Sequence, residues 1–265
     1  MRRSSILAFA VLAALAAGAL TSASASAELP EYMVCTKIVK ADHAYSGHYT
    51  SASCDEESKV EGGGEYELER GFGRKATFAA RSGRMVLATS GVAAEMECKT
   101  SSTTGEFAGS KEARDVVITA NGCEWNGTRC NSPGLRAGRI VTSALVGEFG
   151  YLAGRGSDDP TIGLRLTEET AQYVAVFECE GAEVRTQGPI FTEVGGDVNI
   201  VSSESTYYFR QSEGMQQYTS FEGGLPNGEW HWEFDVGRGW EPEGGDPSAL
   251  ELTAVANTGA FEIKA

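Results

Sequence analysis

Positive charge is what this sequence has least of. Lys and Arg number 22 against 37 Asp and Glu, a formal net charge of −15. Phosphate backbones and anionic lipid surfaces need cations to neutralise them, so this balance argues against nucleic acid as a partner. Histidine is scarcer still, with His43, His48 and His231 the only three. No G-x-S-x-G elbow and no H-E-x-x-H is present, so neither nucleophilic nor zinc-dependent hydrolysis has a positive signal. The calcium-loop pattern D-x-D-x-D-G is also missing, and Asp158, Asp159, Glu241 and Glu243 read as plain acidic loop residues. No cofactor or metal is expected. After residue 27 no apolar run approaches the ~20 residues that cross a bilayer as a helix. Nor does any segment there carry the 3.6-residue apolar stripe of a helix.

The amino end is different. In "MRRSSILAFAVLAALAAGALTSASASA", Arg2 and Arg3 precede an apolar run from Ile6 to Leu20 and a Ser/Ala tail. This is the three-part pattern of a secretory signal, with cleavage expected near Ala27 after Ala25-Ser26-Ala27. The run is too short and too rich in alanine for a membrane anchor. Removing it takes away two arginines and no acid, which leaves the mature chain more acidic still. The expected location is secreted or extracytoplasmic, with no integral membrane association after cleavage.

All six cysteines lie beyond the leader: Cys35, Cys54, Cys98, Cys123, Cys130 and Cys179. An even count in an exported chain reads as disulfides, and the absence of C-x-x-C weighs against zinc. Six cysteines permit 15 pairings. Cys35 and Cys54 sit on adjacent short runs, "YMVCTKIV" and "HYTSASC", that suit an opening hairpin. Cys123 and Cys130 bracket "EWNGTR", whose Asn126-Gly127 is a strong turn signal. The expected pairs are therefore Cys35–Cys54, Cys123–Cys130 and, from the remainder, Cys98–Cys179.

Strand patterns fill the rest. "TIGLRL" places Ile162, Leu164 and Leu166 on one face and Arg165 on the other, and "AQYVAVFEC" groups Ala175, Phe177 and Cys179. Glycine reaches 33 of 265 residues and punctuates these runs at short intervals. The fold class expected is all-β, a single antiparallel barrel- or sandwich-like domain with an N-terminal disulfide hairpin. The expected divisions are a signal peptide at 1–27, a cysteine hairpin at 28–62 with a hinge at Gly62–Gly64, and a main β-domain at 63–265.

Two clusters remain as candidate chemistry. In "NGEWHWEFD", alternation puts Trp230, Trp232 and Phe234 on one face and Glu229, His231, Glu233 and Asp235 on the other. The aromatic face serves either as core or as an exposed platform for sugar rings, which Trp240 could join; core is the expected placement. Neighbouring carboxylates favour a protonated His231, so it reads as a surface residue rather than a base. Glu178 and Glu180 flank Cys179, and glycosidic chemistry needs two carboxylates about 5–10 Å apart. In a chain this acidic such neighbours arise by composition alone, and no catalytic residue is assigned.

The order of features carries a resemblance. "CTKIVKADHAYSGHYTSASC", "ECKTSSTTGEFAG", "GCEWNGTRCNSPGLRAGRIVTSALVGEFGYL", "VFECEGAEVRTQGPIF" and "ANTGAFEIKA" follow the signal in turn. Together they resemble the uncharacterised paralogous exported β-rich proteins of soil actinobacteria of the Solirubrobacter–Conexibacter kind. The resemblance implies a small secreted β-protein and supplies no site residues. The reading is a secreted, disulfide-stabilised, non-catalytic extracellular or envelope-associated protein of unknown role, with a cell-wall or carbohydrate component as the candidate ligand. The alternative is a secreted carboxylate-dependent hydrolase.

Overall fold

The computed structural model describes residues 28–39, 45–71, 76–88, 95–195, 198–212, 215–218, 220–222, 231–235, 241–243, 247–256 and 260–265. Among them every regular element is a strand. The first nine are β1 (Glu31–Lys37), β2 (Tyr66–Arg70), β3 (Ala76–Ser82), β4 (Met85–Ala88), β5 (Glu95–Cys98), β6 (Thr100–Ala108), β7 (Glu112–Asn121), β8 (Glu124–Trp125) and β9 (Thr128–Arg129). There follow β10 (Arg139–Val141), β11 (Leu145–Ala153), β12 (Thr161–Glu168), β13 (Ala175–Cys179), β14 (Ala182–Gln187), β15 (Ile190–Gly195) and β16 (Glu204–Phe209). The last are β17 (Gln211–Ser212), β18 (Met215–Gln216), β19 (His231–Asp235), β20 (Glu241–Glu243), β21 (Pro247–Ala256) and β22 (Phe261–Lys264).

Eight of these strands close on themselves. β3, β6, β7, β11, β12, β15 and β16 pair in succession, each antiparallel to the next. β21 then pairs with β16 along one edge and β3 along the other. The strands run round the ring in chain order, which makes an up-and-down barrel and leaves no open edge within it. Alternation fixes which side chains point inward. Ile162, Leu164 and Leu166 are buried on the inner face of β12, with Leu145, Phe149 and Tyr151 beside them on β11. On β7 the inward sequence steps from Ala113 to Val116, because Asp115 adopts φ 50° at a register shift opposite Gly105. Such a bulge bends a strand and adds twist, which ring closure requires. Gly105 itself must lack a side chain, since a Cβ there would lie 2.5 Å from the Phe78 ring.

The two ends of the ring are closed differently. At the β6–β7 turn, the sheet β2-β1-β22 brings Tyr32 against Phe107, with Phe261 packed on Tyr32. Tyr32 and Phe107 stack at 4.2 Å between centroids, and Phe78 and Phe149 pack on Phe107 at 4.8 and 6.1 Å. The Tyr32 N–H donates to the Ser110 carbonyl, and the Tyr151 hydroxyl donates to the Glu28 carbonyl at 2.8 Å. At the opposite end β13 and β14, extended by β19 and β20, form a second sheet. Ser143 ties it to the barrel wall by donating from N–H and Oγ to the Val174 carbonyl at 2.7 and 3.2 Å.

The all-β class and the Cys35–Cys54 bond agree with expectation; Cys35 lies on β1, whose strand partners are β2 and β22. The other two expected disulfides are wrong. Cys98 is bonded to Cys123 and Cys130 to Cys179, so neither Cys123–Cys130 nor Cys98–Cys179 exists. The turn signal was correct: Asn126 (φ 49°) and Gly127 (φ 81°) form a type I′ turn joining β8 to β9. That hairpin makes Cys123 and Cys130 direct backbone partners, with the Cys130 N–H donating to the Cys123 carbonyl. In an antiparallel ladder a hydrogen-bonded pair is the wide kind, and the narrow pairs with closer side chains fall on the other neighbours. The β5–β8 register extended by one residue sets Cys98 opposite Cys123, and the Asn131–Glu178 bridge extended likewise sets Cys130 opposite Cys179. Their Cα separations are 3.9 and 4.5 Å. Cys98, Cys123, Cys130 and Cys179 thus form one row across adjacent strands. The outer two stand three strand spacings apart, about 14 Å, beyond the ~7 Å reach of a disulfide.

Candidate ligand seat in the barrel interior

The barrel interior grades from solid to hollow along β6. Its inward positions read Ser101, Thr103, Gly105 and Phe107, small side chains at one end and a phenyl ring at the other. Eight strands leave an interior just wide enough to be filled by side chains or to hold one small ligand, and which occurs depends on side-chain size. Phe107 is packed among rings, whereas Ser101 and Thr103 leave open space, which at the Thr103 level extends to Phe78 and Phe107.

Two chambers result. The upper, of about 70 Å³, lies at the Ser101 level. Its walls are Ser101, Ile118, Ile190 and Phe209 from the barrel, Val174, Ala175, Phe177 and Thr186 from the β13–β14 roof, and Met85, Leu87 and Met96 from β4 and β5. Ile140 and Thr142 complete it. The lower chamber, of about 30 Å³, lies one level down between Thr103, Val116, Leu164, Thr192, Tyr207 and Phe209. Phe209 lines both.

Among the described residues no ionisable side chain lines the upper chamber. Of its three hydroxyls, Thr142 Oγ1 accepts from the Ile118 N–H at 3.0 Å, and Thr186 Oγ1 accepts from the Ala175 N–H at 3.1 Å. Ser101 Oγ is buried and has no hydrogen-bond partner among the described residues. The same holds for Thr103 Oγ1 in the lower chamber. There, complete burial drives the Tyr207 hydroxyl far above the ordinary tyrosine range, the Ser205 hydroxyl opposing the shift, so it stays protonated.

Carboxylates lie instead on the outside, against cations. Glu97 meets Arg84 at 2.8 Å, and Glu31 meets Arg70 and Lys111 at 2.9 and 3.1 Å. Arg210 and the Tyr218 hydroxyl both donate to Glu193 Oε2, at 2.8 and 2.7 Å. Glu148 and Arg165 face each other across β11 and β12 at 3.6 Å; burial raises the carboxyl pKa and lowers that of the guanidinium. His48 bonds through both its N–H and its Nδ1 to Glu67, which raises its pKa and accounts for it as an exposed ion pair. Glu178 is exposed on β13, and Glu180 (φ 53°) turns the chain into β14 with Gly181 (φ 81°). Asp158 and Asp159 are exposed in a loop, and no group of three metal-binding side chains occurs among the described residues.

Trp230, Trp240 and His43 lie outside the described residues, as does the side chain of Trp232. The Trp232 backbone stands in β19 between Thr186 of β14 and Glu243 of β20. The aromatic platform therefore has no structural account here. Sequence reasoning passed over the chambers because Ser101 and Thr103 look like ordinary strand residues. The available signal was the S-x-T-x-G-x-F gradient, three small residues on one face where core residues should stand.

No family model matches the chain, and no curated protein or solved structure matches it either.

Proposed function

We propose that this is an exported, non-catalytic binding protein of the extracellular space or cell envelope, whose ligand seat is the barrel interior. The observation that carries the reading is the upper chamber, an apolar space roofed by a separate sheet, with no acid, base or thiol side chain among the described residues that line it. Convergent apolar walls with few polar groups are the usual chemistry of a small-molecule site. A hydrolase using carboxylates would need two of them converging on such a space, and Glu97, Glu31 and Glu193 are instead paired with cations outside the chamber. Three disulfides fit an oxidising, extracytoplasmic compartment, which agrees with the signal-like leader and with the resemblance to exported actinobacterial proteins. Among the described residues no helix is long and apolar enough to cross a membrane. The outward residues Arg81, Glu106, Glu112 and Arg114 are charged, the reverse of a barrel that faces lipid.

Methyl-labelled mature protein titrated with xenon, which fills small apolar cavities, tests the reading. Saturable shifts confined to the methyls of Met96, Ile118 and Ile190 are expected. Absence of any saturable shift in these methyls would remove the barrel as a binding site.

A further inference from the structure

We infer that the upper chamber takes a small apolar molecule bearing one hydroxyl or carbonyl group, a short-chain or small-ring alcohol, aldehyde or ketone, and that Ser101 fixes its polar end. The inference rests on the binding reading above and names the ligand class. Ser101 is 4% exposed, and its Oγ lines the chamber without a partner among the described residues. An unsatisfied buried hydroxyl is destabilising, so such groups are retained where something pairs with them. Water is a poor candidate, because a buried water needs two to four polar partners. Among the described lining residues Ser101 is the hydroxyl without any partner, those of Thr142 and Thr186 each accepting a backbone N–H, from Ile118 and Ala175. A purely apolar ligand would leave Ser101 unpaired. A charged ligand would meet no counter-charge among the described lining residues, none of which is ionisable. One polar atom on an otherwise apolar body satisfies all three constraints. The volume of about 70 Å³ limits that body to a few heavy atoms, as roughly twice this volume accommodates benzene. Met85 and Met96, unbranched and adaptable, form the wall where differences in ligand shape can be absorbed.

The test compares xenon and 1-propanol as probes of the methyl-labelled mature protein, in the wild type, Ser101→Ala and Ala175→Leu. Xenon should bind the wild type and Ser101→Ala equally, and 1-propanol should bind Ser101→Ala about three- to tenfold more weakly, the value of one hydrogen bond. Ala175→Leu, which fills the chamber from the roof, should weaken both probes. Equal 1-propanol affinity in the wild type and Ser101→Ala, with xenon still bound, overturns the ligand class and leaves the binding reading standing. Failure of xenon to shift the chamber methyls removes both. A water signal at Ser101 that persists under saturating 1-propanol also overturns the inference, because water then holds the hydroxyl.

Discussion

The two ends of the barrel are built from the same eight strands yet solve the interior in opposite ways. At the β6–β7 turn, four rings from β1, β3, β6 and β11 pack on one another, and the chamber that reaches Phe78 and Phe107 is the small one of about 30 Å³. At the roofed end the inward positions of β6 are small or hydroxylated, and the space above them is closed by a separate sheet. One end thus supplies cohesion through dispersion and burial. The other gives up some of that cohesion and is held shut by a disulfide and by the Ser143 hydrogen bonds. Stability and site are separated along a single axis.

Removing the packed ring should have the largest effect. Phe107→Ala is expected to cost about 3–5 kcal/mol, read as a lower urea midpoint, and a loss below ~1 kcal/mol would show that the aromatic end is not the stabilising one. Next comes the staple of the roofed end. Replacing both Cys130 and Cys179 by alanine opens a link with a sequence separation of 49. It is expected to cost about 2–4 kcal/mol and to increase amide exchange in β13 and β14 before the ring strands. Uniform exchange instead would mean that roof and ring unfold as one unit.

At the hollow end the sign reverses. Thr103→Val removes a buried hydroxyl without a partner and keeps the shape, so the variant should be more stable by about 1 kcal/mol. A comparable loss would mean that Thr103 is hydrogen-bonded in solution. The last effect lies outside the ring. Burial and its hydrogen bond to Glu193 push the Tyr218 hydroxyl up to about 12. The unfolded chain ionises near pH 10, so the contribution of Tyr218 is fully present below that pH and is lost as pH rises towards 12. Wild type should therefore lose more stability than Tyr218→Phe between pH 10 and 12, and parallel curves would dissociate Tyr218 from the effect.

Local sequence reported local structure well. "TIGLRL" gave the inner and outer faces of β12 correctly, and Asn126-Gly127 marked its hairpin turn. What alternation does not carry is lateral neighbourhood. β21 closes the ring between β3 and β16 over long sequence distances, and nothing in a strand's own pattern names those partners. The disulfide error has the same root. Nearness in sequence made Cys123 and Cys130 look bonded, whereas the alternation of wide and narrow pairs assigns each to the strand on its far side. The chambers were hidden for a related reason: Ser101 and Thr103 are unremarkable alone and acquire meaning only when the opposite wall is known.

The row of four cysteines has a consequence for survival among proteases. The exposed loop from Gly154 to Pro160 is a natural cleavage point, and it falls between Cys130 and Cys179. A cut there divides the chain but not the molecule, because Cys130–Cys179 still joins the two pieces through the roof. A nicked protein of this kind keeps its mass without reductant and separates only with it, so a single encounter with an endopeptidase outside the cell leaves its wall and its roof still covalently joined.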